Sequence, residues 1–97
     1  MRNNTLQCAE ARTLLEQGAQ LVDVRQPEEF RQNAAPGAVN IPLPVIGLAL
    51  ERLRRDTPVL LYCASGRRSA MARSLLQLHG FTEVHNVVSP HWLQHCA

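Results

Sequence analysis

The sequence predicts an α/β fold, with a small, mainly parallel sheet covered by helices on both faces. Three observations carry this. Short candidate strands at 20–24, 38–41, 59–62 and 83–87 alternate with segments whose apolar residues recur at helical spacing. The run Val59-Leu60-Leu61-Tyr62 is continuously apolar, as a parallel strand buried on both faces must be. The chain has 97 residues, 45% of them hydrophobic, which suits one domain over residues 1–97 around one core.

Taken in order, Thr5-Leu6-Gln7 reads as a short edge strand. Cys8 to Gln17 reads as a helix with Ala11, Leu14 and Leu15 on one face, ended by Gly18 as a left-handed cap. Gln20 to Val24 is a strand, and Pro27 opens a short acidic turn of helix at a position proline tolerates. Pro36-Gly37 makes a turn, Ala38 to Ile41 is a short strand, and Pro42 and Pro44 stop it. Val45 to Leu53 predicts a helix, with Ile46, Leu50 and Leu53 at spacings of four and three. The Val59–Tyr62 strand follows, then a loop and a helix running to His79, ended by Gly80. Glu83 to Val87 is the last strand, and 90–95 a final turn of helix.

Composition narrows the function classes. The formal net charge is +2 and every Lys/Arg position is arginine. With only 4% aromatic residues there is no stacking surface for single-stranded nucleic acid, and the charge is too small to predict a nucleic-acid partner. No segment has the length of a membrane span or the apolar stretch of a signal peptide. Three cysteines in no metal or disulfide spacing point to a reducing, cytoplasmic setting. His91 and His95, with Cys96 beside them, have a metal-like spacing but no second ligand pair, so no metal site is predicted.

The informative stretch is Cys63-Ala64-Ser65-Gly66-Arg67-Arg68-Ser69. A buried strand delivers Cys63 at its carboxyl end, where parallel sheets bind ligands. Ser65-Gly66 then turns the chain into a helix whose positive end faces the loop. A thiol there, beside two arginines, is placed to be a thiolate nucleophile rather than apolar filler. Gly66 permits positive φ, so that successive N–H groups form an anion nest. Ser65 and Ser69 supply hydroxyls, and Ser69 either donates to the sulfur or caps the helix. Arg67 and Arg68 oppose the helix dipole at about 0.3–1 kcal/mol each when exposed, and no Asp or Glu lies between Thr57 and Phe81 to relieve them. A bound anion would offset that cost; the structural alternative is an ion pair of Arg68 with Asp23 or Glu28.

These residues resemble the active-site loop of rhodanese-like sulfurtransferases, Cys-x-x-Gly-x-Arg followed by Ser or Thr. Leu21-Val22-Asp23-Val24-Arg25-Gln26-Pro27-Glu28-Glu29-Phe30 and Pro36-Gly37-Ala38-Val39-Asn40-Ile41-Pro42 agree with the same family in order and spacing. The resemblance, from about residue 5 to about residue 88, implies a sheet of about five strands. It implies sulfur transfer through a persulfide on Cys63, with Ala64, Ser65, Gly66, Arg67, Arg68 and Ser69 binding the substrate. A small anionic donor such as thiosulfate and an acceptor such as cyanide, a thiol or a protein thiol follow, with no cofactor and a monomer or weak dimer. The alternative is a non-enzymatic docking or regulatory module, or a sulfur carrier. Four residues separate Cys63 from Arg68, whereas the related phosphatases and arsenate reductases use Cys-x5-Arg, so a sulfurtransferase is favoured. Ala64 stands where some thiosulfate-using members carry a basic residue. Ala34-Ala35 replaces His-Ile, and Ser89-Pro90 replaces Gly-Gly. Asp23 and Arg25 match the family's Asp-x-Arg and are expected to pair structurally.

Overall fold

The computed structural model describes residues 8–88. Its elements are α1 (Cys8–Glu16), β1 (Gln20–Asp23), α2 (Pro27–Gln32), β2 (Val39–Asn40), β3 (Val59–Tyr62), α3 (Arg67–Leu78) and β4 (Val84–Val88). The four described strands are all parallel, in the order β2-β1-β3-β4. The sequence expectation of an α/β architecture with a parallel sheet is met. The expected edge strand at 5–7 and the helical turn at 90–95 lie outside the described residues.

Alternation along each strand builds two cores. Val22, Val59, Leu61 and Val84 face one way and pack with Ile41, Ile46, Ala72, Leu76 and Phe81 beneath α3. Leu21, Leu60, Tyr62 and Val87 face the other way and pack with Ala11 of α1 and Ala35. All four residues of β3 are fully buried, which explains why that segment shows no polar alternation. The glycine expected to end α1 does so: Gly18 has φ 102°, and the next N–H, of Ala19, bonds back to the Leu14 carbonyl at 2.9 Å.

One element differs from expectation. The segment predicted as a helix from Val45 to Leu53 is instead two 3-10 stretches, Leu43–Leu48 and Leu50–Arg52. Gly47, in the middle of the segment, is a poor helix former, and the observed bonds run three residues back, such as Ala49 N–H to Ile46 O at 3.1 Å. The apolar spacing still does its work, because Ile46 and Leu53 are buried and Leu50 packs against them. Arg54 lies near Asp56, while Arg55 reaches the carboxyl end of α3, donating from Nε to the His79 carbonyl at 2.7 Å with its guanidinium over Phe81.

This strand order fixes where a site can form. From β1 the chain moves outward to β2, and from β3 it moves outward in the opposite direction to β4. The connections therefore part above the carboxyl ends of β1 and β3, leaving a crevice there. Asp23 and Arg25 lie on its β1 side and Cys63 on its β3 side.

Candidate active site

The floor of the crevice is a buried ion pair. Arg25 Nε and Nη2 donate to the Asp23 carboxylate at 2.8–3.1 Å, and the Arg25 backbone N–H adds a bond of 2.8 Å to the same carboxylate. Asp23 is fully buried and Arg25 is 5% exposed, so neither reaches a substrate from bulk solvent. The remaining guanidinium donors hold Asn33 at the end of α2, through its side-chain oxygen at 3.1 Å and its carbonyl at 2.9 Å. The Tyr62 hydroxyl accepts the Ala35 N–H at 2.9 Å. Burial, with Asp23 nearby, pushes that phenol up to about 12. Structural pairing of Asp23 with Arg25, as the sequence suggested, is what the structure contains.

Above this floor the Cys63 loop closes on its own sulfur. Gly66 sits at φ 91°, ψ −6°, the left-handed conformation that costs a side-chain-bearing residue most, and is the N-cap of α3. That conformation turns its N–H back to Sγ of Cys63 at 3.1 Å. Ser69, also buried, lies with Oγ 3.5 Å from the same sulfur. Burial is the largest single influence on the Cys63 thiol and pushes it up. The Ser69 hydroxyl and the N–H groups of Ser69, Ser65 and Gly66 together outweigh burial, so the thiol lies below its ordinary value. The sequence left two roles open to Ser69. The helix starts at Arg67 and Gly66 occupies the N-cap, so Ser69 lies within the first turn and its hydroxyl faces Cys63 and β4.

Ala64 and Ser65 are exposed at the tip of the loop, so their backbone rather than their side chains borders the sulfur. Arg67 and Arg68 are the first two residues of α3, whose first turn holds no acidic residue. They diverge from there. Arg67 is exposed, and no carboxylate among the described residues pairs with it. Arg68 forms a two-pronged pair with Glu29 of α2, at 2.9 and 3.1 Å. The partner is therefore neither Asp23 nor Glu28: Asp23 is saturated by Arg25, and Glu29 is turned back toward the start of α2, accepting the Gln26 N–H at 2.9 Å. The Arg68 cation still feels the Cys63 thiolate.

Glu29 was missed by sequence reasoning, and so was Asn86. Asn86 of β4 accepts the Ser69 hydroxyl at 2.8 Å and donates to the Gly66 carbonyl at 3.0 Å. Its signal was an amide followed by two valines in the strand Val84-His85-Asn86-Val87-Val88.

The Arg68 hydrogen bonds, and then the Gln26 N–H, hold the Glu29 carboxyl down at about 2 from an ordinary 4.5. A depressed folded value contributes stability that is present above pH 4.5 and is lost as pH falls to about 2. Both partners are 35% exposed, so solvent screening limits the contribution to ~1 kcal/mol or less. The stability gap between wild type and Glu29→Gln, read from denaturant melts, is expected to be constant above pH 4.5 and to shrink toward zero near pH 2. A gap that widens in acid would show that this pair is not its source.

The cysteine expectations need one correction. Cys8 is disulfide-bonded, whereas Cys63 is free. Sequence spacing does not report on pairing, which depends on proximity in the fold, so the cysteine count carries no argument for a reducing compartment. Cys96, His91, His95 and the Ser89-Pro90 segment lie outside the described residues. No group of metal-ligating side chains occurs among the described residues, and no described helix is long and apolar enough to cross a membrane.

Known proteins resemble this chain in sequence and fold. The family model described as a rhodanese-like domain matches residues 7–89. YqhL of Bacillus subtilis, an uncharacterized protein, is 44% identical over 69 residues, covering 71% of this chain and 55% of its own length. The thiosulfate sulfurtransferase GlpE of Pseudomonas syringae is 36% identical over 78 residues, covering 80% of this chain and 74% of its own. The human single-domain sulfurtransferase TSTD1 superposes with a TM-score of 0.79 at 28% identity, over 99% of this chain and 100% of that one. The chain spans 37%, 55% and 63% of the length of three curated relatives. A parallel sheet, a cysteine loop cradled at a helix start and a family match over most of the chain agree, and the chain belongs to the rhodanese-like domain family.

Proposed function

We propose that this protein is a sulfurtransferase that carries sulfane sulfur as a persulfide on Cys63. It takes that sulfur from thiosulfate or a similar anionic donor and passes it to cyanide or a thiol. The observation that carries this reading is the Cys63 sulfur itself: buried, and ringed by N–H and hydroxyl donors at the start of α3. Such a cradle stabilises negative charge on sulfur. The thiolate attacks the outer sulfur of thiosulfate, an S–S bond forms to Sγ, and the sulfur–sulfur bond of the donor breaks as sulfite leaves with the electron pair. The acceptor nucleophile then attacks the outer sulfur, the Sγ–S bond breaks, and the pair returns to Cys63 as thiolate. Arg67, exposed beside the loop, meets the arriving anion. Ala64, Ser65, Gly66, Arg68 and Ser69 supply the walls and donors of the site, and no cofactor enters the cycle.

The likeness to GlpE, itself a thiosulfate sulfurtransferase, supports this choice of donor. The test is intact-mass measurement after incubation with thiosulfate. A gain of one sulfur atom that cyanide removes is expected; no gain from thiosulfate or from any other sulfane donor would favour the docking-module or regulatory reading.

The loop also sets a size limit. Four residues lie between Cys63 and Arg68, and Gly66 N–H is already 3.1 Å from the sulfur, so the cradle fits one sulfur atom rather than a tetrahedral phosphate. No useful hydrolysis of aryl phosphates is expected, and inserting one residue into the loop is expected to reduce sulfur transfer. Cys63-dependent phosphatase turnover comparable with sulfurtransferase turnover would overturn the assignment.

A further inference from the structure

Asn86 belongs to none of the loop residues, yet it holds two of them. β4 pairs with β3 so that Asn86 lies opposite Leu61, one position pair below the strand's irregular end. From there its Nδ2 donates to the Gly66 carbonyl at 3.0 Å and its Oδ1 accepts the Ser69 hydroxyl at 2.8 Å. The first bond fixes the second, because a carbonyl oxygen only accepts; the amide nitrogen must face Gly66 and the amide oxygen must face Ser69.

Ser69 therefore has two acceptors and one proton. Oδ1 of Asn86 is at 2.8 Å and Sγ of Cys63 at 3.5 Å. When Cys63 is a thiol, S–H can donate to Oγ while Oγ–H donates to Asn86. When it is a thiolate, the hydroxyl gains most by turning to the sulfur, since bonds to charged groups are about twice as strong. Once a sulfur has been taken up, the charge moves to the outer atom and Sγ is neutral, so the proton returns to Asn86.

We infer that Asn86 is a positioning residue of the persulfide cycle: through Ser69 it competes with the Cys63 sulfur for one hydroxyl proton, and through Gly66 it keeps the loop N–H aimed at that sulfur. Its place in a persulfide cycle rests on the sulfurtransferase reading, but the competition for the proton does not. The charged groups around Cys63 are Arg67 and Arg68 on α3, Glu29 on α2 and the Asp23–Arg25 pair after β1. β4 adds the Glu83–His85 pair beside Asn86. All remain in place in the variants below.

The experiment follows alkylation of Cys63 by iodoacetamide against pH, read on the Cys63 peptide by mass spectrometry. It uses the full chain, with Asn86→Leu and Asn86→Asp each made alone and combined with Ser69→Ala. Leucine removes the acceptor, which leaves the Ser69 proton to the thiolate, and it also removes the bond to the Gly66 carbonyl; the first effect needs the Ser69 hydroxyl and the second does not. Below the wild-type pKa, alkylation of Asn86→Leu is expected to run roughly three- to tenfold faster, the worth of one freed hydrogen bond. That gain should vanish when Ser69 is also alanine. Asn86→Asp strengthens the competing acceptor, and should slow alkylation by roughly tenfold or more. That slowing should be several-fold smaller in the Ser69→Ala background, where the added charge and the lost bond to the Gly66 carbonyl still act but the competition for the hydroxyl proton does not. A slower Asn86→Leu, or equal factors in the two serine backgrounds, would show that Asn86 merely props the loop. Should Asn86→Leu not fold, the Asn86→Asp comparison in the two backgrounds decides alone. Alkylation involves no sulfur donor, so this result stands or falls separately from the mass gain with thiosulfate.

Discussion

Cys63→Ser is expected to abolish both persulfide formation and sulfur transfer. The substitution replaces one atom in a fully buried site, so the donors from Gly66 and Ser69 stay near their places and the fold survives. What is lost is chemistry: a serine hydroxyl stays protonated where the Cys63 thiol, held below its ordinary value by its donors, ionises. An oxygen nucleophile also has no stable equivalent of the persulfide to hold between half-reactions. Cys96→Ser is expected to retain most activity, and Cys8→Ser likewise, since the disulfide at Cys8 leaves no thiolate there to take part. The measurement is thiocyanate formation from thiosulfate and cyanide, with intact mass in parallel. Loss of turnover in Cys96→Ser or Cys8→Ser, with Cys63 intact and melting unchanged, would bring a second cysteine into the cycle and end the single-nucleophile mechanism.

The parts legible in the sequence were those set by local patterns. The continuous apolar run of β3 located a buried strand, and the cysteine after it, with Gly66 three residues on, located the loop. Gly18 and the spacing of Ala11, Leu14 and Leu15 marked α1 to within a residue of its end. The segment from Val45 to Leu53 differs from the predicted α-helix because apolar spacing of four and three fits an α-helix and a pair of 3-10 turns alike; Gly47 held the deciding signal. Partner choice across the fold was the least visible. Arg68 meets Glu29, 39 residues away, because the Asp23–Arg25 pair anchors α2 at its Asn33 end and thereby brings Glu29 over the loop. Asn86 was hidden for the same reason. A polar side chain in a strand gains meaning only when the register shows what stands above it.

The arginine doublet was one motif in the sequence and is two different things in the structure, which leads to opposite expectations for its members. Arg67→Ala should leave the melting temperature unchanged or slightly raised, because it removes an exposed cation from the positive end of α3 and breaks no ion pair among the described residues. Its expected cost falls on the donor. A charged hydrogen bond is worth roughly 1.5–3 kcal/mol, so kcat/KM for thiosulfate should fall about ten- to a hundredfold. Arg68→Ala should do something else as well. It releases Glu29 from both of its guanidinium bonds and removes the cation that favours the thiolate. The part-exposed pair contributes at most ~1 kcal/mol to stability, so the melting temperature should drop by only a few degrees. The Cys63 pKa should rise, and donor kinetics should fall with it. Glu29→Gln separates these effects, since it loosens the pair yet leaves the Arg68 charge beside the sulfur; it should share the small melting change and spare the cysteine pKa. The deciding set is melting, thiolate titration and thiosulfate kinetics on all three variants. If Arg67→Ala and Arg68→Ala both melt early while the folded protein keeps its cysteine pKa and its donor kinetics, both arginines are architectural, and the start of α3 does not bind the anion.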